Sequence, residues 1–189
     1  MPGTDVAVHD RRWRLILSAS VVVFLFAACG AWSSRFYAIE GARTQFVGVP
    51  FALVCAALCV RIRRAALIVL AVGFIWPFAH IAAWFGRAAS GSNSVGMAVG
   101  GLLGGLGITL VVAIVDRPHL LSLFWLAGGG LIGAVAALPF KPWLAHVDFR
   151  LNPNPNPDPM QPIRLEHAFA IWQACVGAYI YLASRKRSL

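Results

Sequence analysis

The chain has 189 residues, of which 59% are hydrophobic and 12% charged, with a formal net charge of +9 and a mean hydropathy of +0.74. So large an apolar share exceeds what the core of a water-soluble domain this size can hide, which argues against an ordinary soluble globular class. The positive charges stand in short clusters between apolar stretches instead of along one face, so they argue against nucleic-acid binding and for topology determinants beside anionic lipid headgroups.

Six apolar stretches approach the roughly 20 residues needed for a helix to cross about 30 Å of hydrocarbon, and their central portions carry no Lys, Arg, Asp or Glu. The first runs over about 15–32, preceded by Arg11, Arg12 and Arg14. The second and weaker, 46–60, has Pro50 in its first turn, where a missing N–H costs little, and ends at Arg61, Arg63 and Arg64. The third covers 65–85. A polar joint with Gly91, Ser92, Asn93 and Ser94 leads to the fourth, 95–115, which Asp116, Arg117 and Pro118 terminate. The fifth, 119–140, returns directly, so the fourth and fifth form an antiparallel hairpin. A joint over 141–166 precedes the sixth, 167–182, and Arg185, Lys186 and Arg187 follow it. The expected fold is all-α, a polytopic membrane bundle of about six transmembrane helices with no soluble domain.

An even number of crossings puts both termini on one side. The N-terminal triplet, the Arg61 cluster, Arg117 and the C-terminal triplet then gather on the cytoplasmic face. The opposite face receives Arg35, Arg43, Arg87, Lys141, Arg150 and Arg164, dispersed over longer joints. Trp32, Tyr37, Trp84 and Trp143 all fall near that outer boundary, as amphipathic rings do. The implied location is a bacterial inner membrane. The sequence around Ala27, Ala28, Cys29 and Gly30 resembles a lipoprotein-type cleavage site before Cys29, but Phe26 stands where such signals carry Leu, Val or Ile, and a retained anchor is the expectation.

With little hydrophobic drive between helices in lipid, close approach through small side chains supplies packing energy. Gly96, Gly100 and Gly104 recur every four residues in the fourth span, with Gly101 and Gly105 in a second register, and Gly129 and Gly133 recur in the fifth. These two helices are expected to touch backbone to backbone.

Polar residues inside the spans are the default place to look for function. Pro77 is expected to kink the third helix, with Trp76 before it and His80 three residues after. Glu166 opens the sixth span beside His167, and residues 166, 170, 173 and 177 share one face, which can bring Glu166 and Gln173 inward with Gly177. Trp76, His80, Glu166 and Gln173 thus outline an expected outer-half pocket for a substrate. His80 and His167 differ in depth, which disfavours a paired haem or metal site. Cys29, Cys55, Cys59 and Cys175 all fall within spans, so no disulfide framework is implied, and no Cys-x-x-Cys or neighbouring histidine completes a metal set. Catalytic spacings are absent and no catalytic residue, metal or cofactor is expected.

The 141–166 joint divides into an alternating stretch, Val147 to Leu151, and a strap with Pro153, Pro155, Pro157, Pro159 and Pro162, which forbids helix and favours an extended rod. The expected function is a non-enzymatic scaffold or accessory subunit of a membrane assembly. The alternative is a small-solute or proton-coupled transporter using the outer pocket. Expected partners are the lipid bilayer and either other membrane subunits or further copies of the chain.

Overall fold

The computed structural model describes residues 18–33, 48–59, 64–138 and 161–185, with side chains from residue 167 onward in the last of these. The arginine triplet before the first span, Arg61 and Arg63, Tyr37, Trp143, the Val147–Leu151 stretch and prolines 153 to 159 all lie outside the described residues.

The described residues are all-helical, with no strand. The helices are α1 (Ser18–Ser33), α2 (Val49–Cys59), α3 (Ala65–Ser90), α4 (Asn93–Val115), α5 (Leu123–Ala137) and α6 (Gln161–Arg185), with a 3-10 turn over Pro118–Leu121. α3 and α4 are long and apolar enough to cross a membrane by length and composition, whereas α1, α2 and α5 are apolar but shorter. At about 1.5 Å per residue, the 11 residues of α2 reach roughly 16 Å and the 15 of α5 roughly 22 Å, less than a bilayer core. Six full-length spans are therefore more than these helices amount to.

Several boundaries differ from the sequence expectation for local reasons. Gly91, at φ 67, caps α3 by donating to the Arg87 carbonyl at 2.8 Å, a conformation that favours glycine. Ser92 then accepts from the Val95 amide at 3.4 Å as N-cap, so the polar joint shrinks to two residues and Asn93 and Ser94 begin α4. α3 also continues past Phe85 to Ser90, and runs as one helix through Pro77. The fifth stretch does not start as α-helix at His119, because Pro118 sits at the first position of the 3-10 turn and Ser122 reverts to extended backbone before α5. α6 begins at Gln161, inside the expected joint. Pro162 is compatible with that start, since the first helical turn needs no N–H there.

Neighbouring helices run antiparallel. A methyl added at Gly101 would strike the Gly133 carbonyl, and one at Gly105 the Gly129 carbonyl, so α4 and α5 cross in opposite directions at backbone contact. Gly100 meets Ala79 and Ala83 of α3 in the same sense. Tyr179 of α6 packs on Gly128 while Trp172 packs by Gly133, and Phe26 of α1 packs on Gly177 while Gly30 meets Phe169. The core between these helices holds Phe26, Phe51, Ile68, Val72, Phe169 and Val176.

The two glycine registers of α4 thus serve different neighbours. Gly96 and Gly100, together with Gly86, seat α4 on α3, while Gly101 and Gly105 make the seam with Gly129 and Gly133 of α5. Thr109 takes part in this seam, donating its hydroxyl to the Gly105 carbonyl at 2.8 Å while its side chain presses on Gly129.

Candidate functional site

In the half of the bundle nearer the Gly91 turn, the glycine and alanine faces of α3, α4 and α5 leave a small, partly open cleft of about 50 Å³. Trp76, Phe169 and Trp172 form its aromatic wall, with His80 and Met97 at its edges. Opposite stand Ala83, Gly100, Gly101 and Ala137, whose small side chains create the opening. The aromatic wall is locked, because Trp76 lies 4.9 Å from Phe169 and 5.6 Å edge-on from Trp172, centroid to centroid. Trp172 in turn donates Nε1–H to the Gly133 carbonyl at 3.1 Å, across the seam of α5.

A smaller recess adjoins the cleft and shares Trp76, Ala79 and Trp172 with it. It has room for about one water molecule, and its walls include Gly48, Phe51, Gly104 and Gln173. Gln173 is fully buried and donates Nε2–H to Ser33 Oγ at 3.2 Å; Ser33, itself fully buried, donates to the Cys29 carbonyl at 2.7 Å. Gln173 Oε1 and Trp76 Nε1 are buried with no hydrogen-bond partner among the described residues.

Of the residues singled out in the sequence, Trp76 and His80 meet at the cleft, and Trp76 and Gln173 at the recess. The side chain of Glu166 lies outside the described residues. His167 is exposed. Cys55 and Cys59 are buried, Cys29 is half-buried and Cys175 exposed, all as free thiols. Among the described residues no three His, Cys, Asp or Glu side chains gather as a metal site would require.

A second polar centre, at the opposite end of the bundle, was missed in the sequence. The Asp116 carboxylate is shielded from solvent, 3.7 Å from Arg64 Nη1 and 3.4 Å from Arg117 Nε. Arg117 Nε also donates to the Cys59 carbonyl at 3.2 Å, Arg64 donates to the Val115 carbonyl, and His119 Nε2 sits 3.0 Å from the Ala183 carbonyl. These contacts tie α2, α3, α4 and α6 together where helix termini leave carbonyls unsatisfied. The signal was present: Asp116 is the single acidic residue between Glu40 and Asp148.

The chain matches no protein-family model, no curated protein and no solved structure.

Proposed function

We propose that this protein is an integral membrane bundle of six crossings with both termini on the arginine-rich, cytoplasmic side of a bacterial inner membrane, and that it serves as a non-enzymatic scaffold or accessory subunit of a membrane assembly. The observation that carries the membrane part is inverted polarity. Phe74, Phe78 and Phe85 of α3 and Leu123 and Phe124 of α5 are each at least 65% exposed, while glycine, alanine, Ser33, Thr109 and Gln173 turn inward. In water such a surface drives aggregation; in hydrocarbon it is solvated, and small inward residues supply the packing contact. The shorter α1, α2 and α5 complete their crossings with the flanking polar and arginine-bearing residues at the interface, at a modest cost in local bilayer thinning.

Reporter fusions at residues 1 and 189 test the topology: both are expected to report the cytoplasm, and opposite compartments would refute an even count. Purification in a mild detergent tests the subunit role. A stoichiometric membrane companion is expected, and a chain that isolates alone at native expression would count against it.

A small-solute carrier is the second reading, favoured by the meeting of Trp76, His80 and Gln173 around adjoining cavities. Flux across liposomes should fall when His80 is replaced by Ala, and unchanged flux would remove that role.

A further inference from the structure

Two residues that line the recess, Trp76 and Gln173, carry one donor and one acceptor that no described residue uses. The orientation of the acceptor is fixed by a chain of hydrogen bonds. The Cys29 carbonyl can only accept, so the Ser33 hydroxyl spends its proton there; Ser33 Oγ must then accept from Gln173, which selects the amide nitrogen and leaves Oε1 open. Trp76, which lines both recess and cleft, carries the matching donor, an Nε1–H with no partner among the described residues. A buried polar atom without a partner is costly, and here two of opposite sense belong to residues lining one space beside an aromatic-walled cleft.

We propose that cleft and recess together form one binding site for a lipid-soluble molecule with a hydroxylated aromatic ring, the chemical class of phenols and quinols. The ring lies in the cleft between Trp172 and the small floor of Ala83, Gly100 and Gly101, and its hydroxyl reaches the mouth of the recess. A hydroxyl both accepts, here from Trp76 Nε1, and donates, here to Gln173 Oε1; a carbonyl or ether oxygen satisfies Trp76 and leaves Gln173 open. The cleft is open on one side, so a ring can enter without being wholly enclosed, and flat aromatic walls favour a flat ring. This assignment rests on reading the cavity as a ligand site. It requires neither transport nor a partner subunit, so unchanged flux on His80→Ala leaves it standing, and its own failure leaves the membrane topology untouched.

The test is calorimetric titration of the full chain in lipid nanodiscs, against empty nanodiscs, with three probes of one shape: 4-hexylphenol, 4-hexylanisole and hexylbenzene. Saturable binding of the phenol at one per chain is expected, with the methyl ether at least tenfold weaker and the hydrocarbon weaker again. Gln173→Leu is expected to bring the phenol down to the affinity of the ether while leaving the ether unchanged. Equal affinity for phenol and ether, or heats no different from empty nanodiscs, overturns the proposal and leaves the recess to a single water. Should Gln173→Leu fail to fold, the comparison of probes on the unaltered protein still decides.

Discussion

At the scale of single residues, the α4–α5 seam makes the sharpest demand. A methyl group at Gly101 or Gly133 is driven into a facing backbone carbonyl, which cannot rotate away as a side chain would. Gly101→Ala is therefore expected to cost about 1–3 kcal/mol, the usual range for overpacking, measured as a lowered midpoint of unfolding in mixed micelles. Gly73→Ala is the control, since a methyl there meets nothing within 4 Å. It should gain up to about 1 kcal/mol from helix propensity. Equal effects at the two sites would mean the backbones are not in contact. That glycines mediate packing was legible from their fourfold spacing. Which register faces which neighbour was not, because positions 100 and 101 point about 100° apart on one helix and either face suits a hairpin.

Asp116 sets a second residue-scale expectation, and its sign follows from which partner remains buried. Arg64 and Arg117 are partly exposed and can be hydrated when unpaired, whereas the carboxylate is fully covered. Arg117→Leu, which leaves Arg64 as the cation beside the buried carboxylate and frees the Cys59 carbonyl, should destabilise by about 1–3 kcal/mol. Asp116→Asn, which keeps the shape and removes the charge, should cost less than half of that. Thermal unfolding in detergent distinguishes them, and a larger loss for Asp116→Asn would contradict the assigned burial. The aromatic-walled cavity, by contrast, was only half legible in the sequence. Trp76 and His80 could be paired from spacing on one helix, but Ser33 and Gln173 lie 140 residues apart, and no local pattern announces their hydrogen bond.

Among the elements, α3 is the one whose environment can be read most directly. Its outward face carries Leu67, Leu70, Phe74, Phe78, Ile81 and Phe85, all exposed, and its inner face is served by Ile68, Val72 and Ala83. On a helix in water, replacing an exposed side chain such as Phe78 with lysine changes stability within about 0.5 kcal/mol. In a bilayer the same Phe78→Lys change should cost about 2.5–3.5 kcal/mol of insertion near the centre of the helix. A glycosylation-based insertion assay on α3 reads that difference, and indifference to lysine would argue against lipid contact. Apolar length located all six helices from the sequence; their ends depended on caps. Ser92 and Gly91 shortened the joint between α3 and α4 to two residues, and a proline early in α6 was compatible with helix where a proline strap suggested none.

For the molecule as a whole, antiparallel packing and charge placement constrain each other. If α3 and α4 each cross the bilayer, the Gly91 turn and the Asp116 cluster must lie on opposite sides, since they cap opposite ends of one antiparallel pair. Arg64 and Arg117 accompany Asp116, with the arginine-rich 61–63 segment directly before Arg64 in sequence, and in the proposed topology the excess of positive charge in short joints puts that end in the cytoplasm. α5 and α6 return the chain twice more, so that His119, just before α5, meets Ala183 near the end of α6 at the same level. Single-cysteine labelling tests this arrangement without relying on fusions. With Cys29, Cys55, Cys59 and Cys175 replaced by alanine, Ser92→Cys should react with a membrane-impermeant maleimide in intact cells, because the proposed topology puts Ser92 in the outer turn. Ser122→Cys, exposed beside the 3-10 turn at the other end, should react only after the membrane is permeabilised. Labelling of both sites from one side would leave α4 lying on the membrane instead of through it, and would also remove the hydrocarbon environment from which a ligand could enter the aromatic cleft.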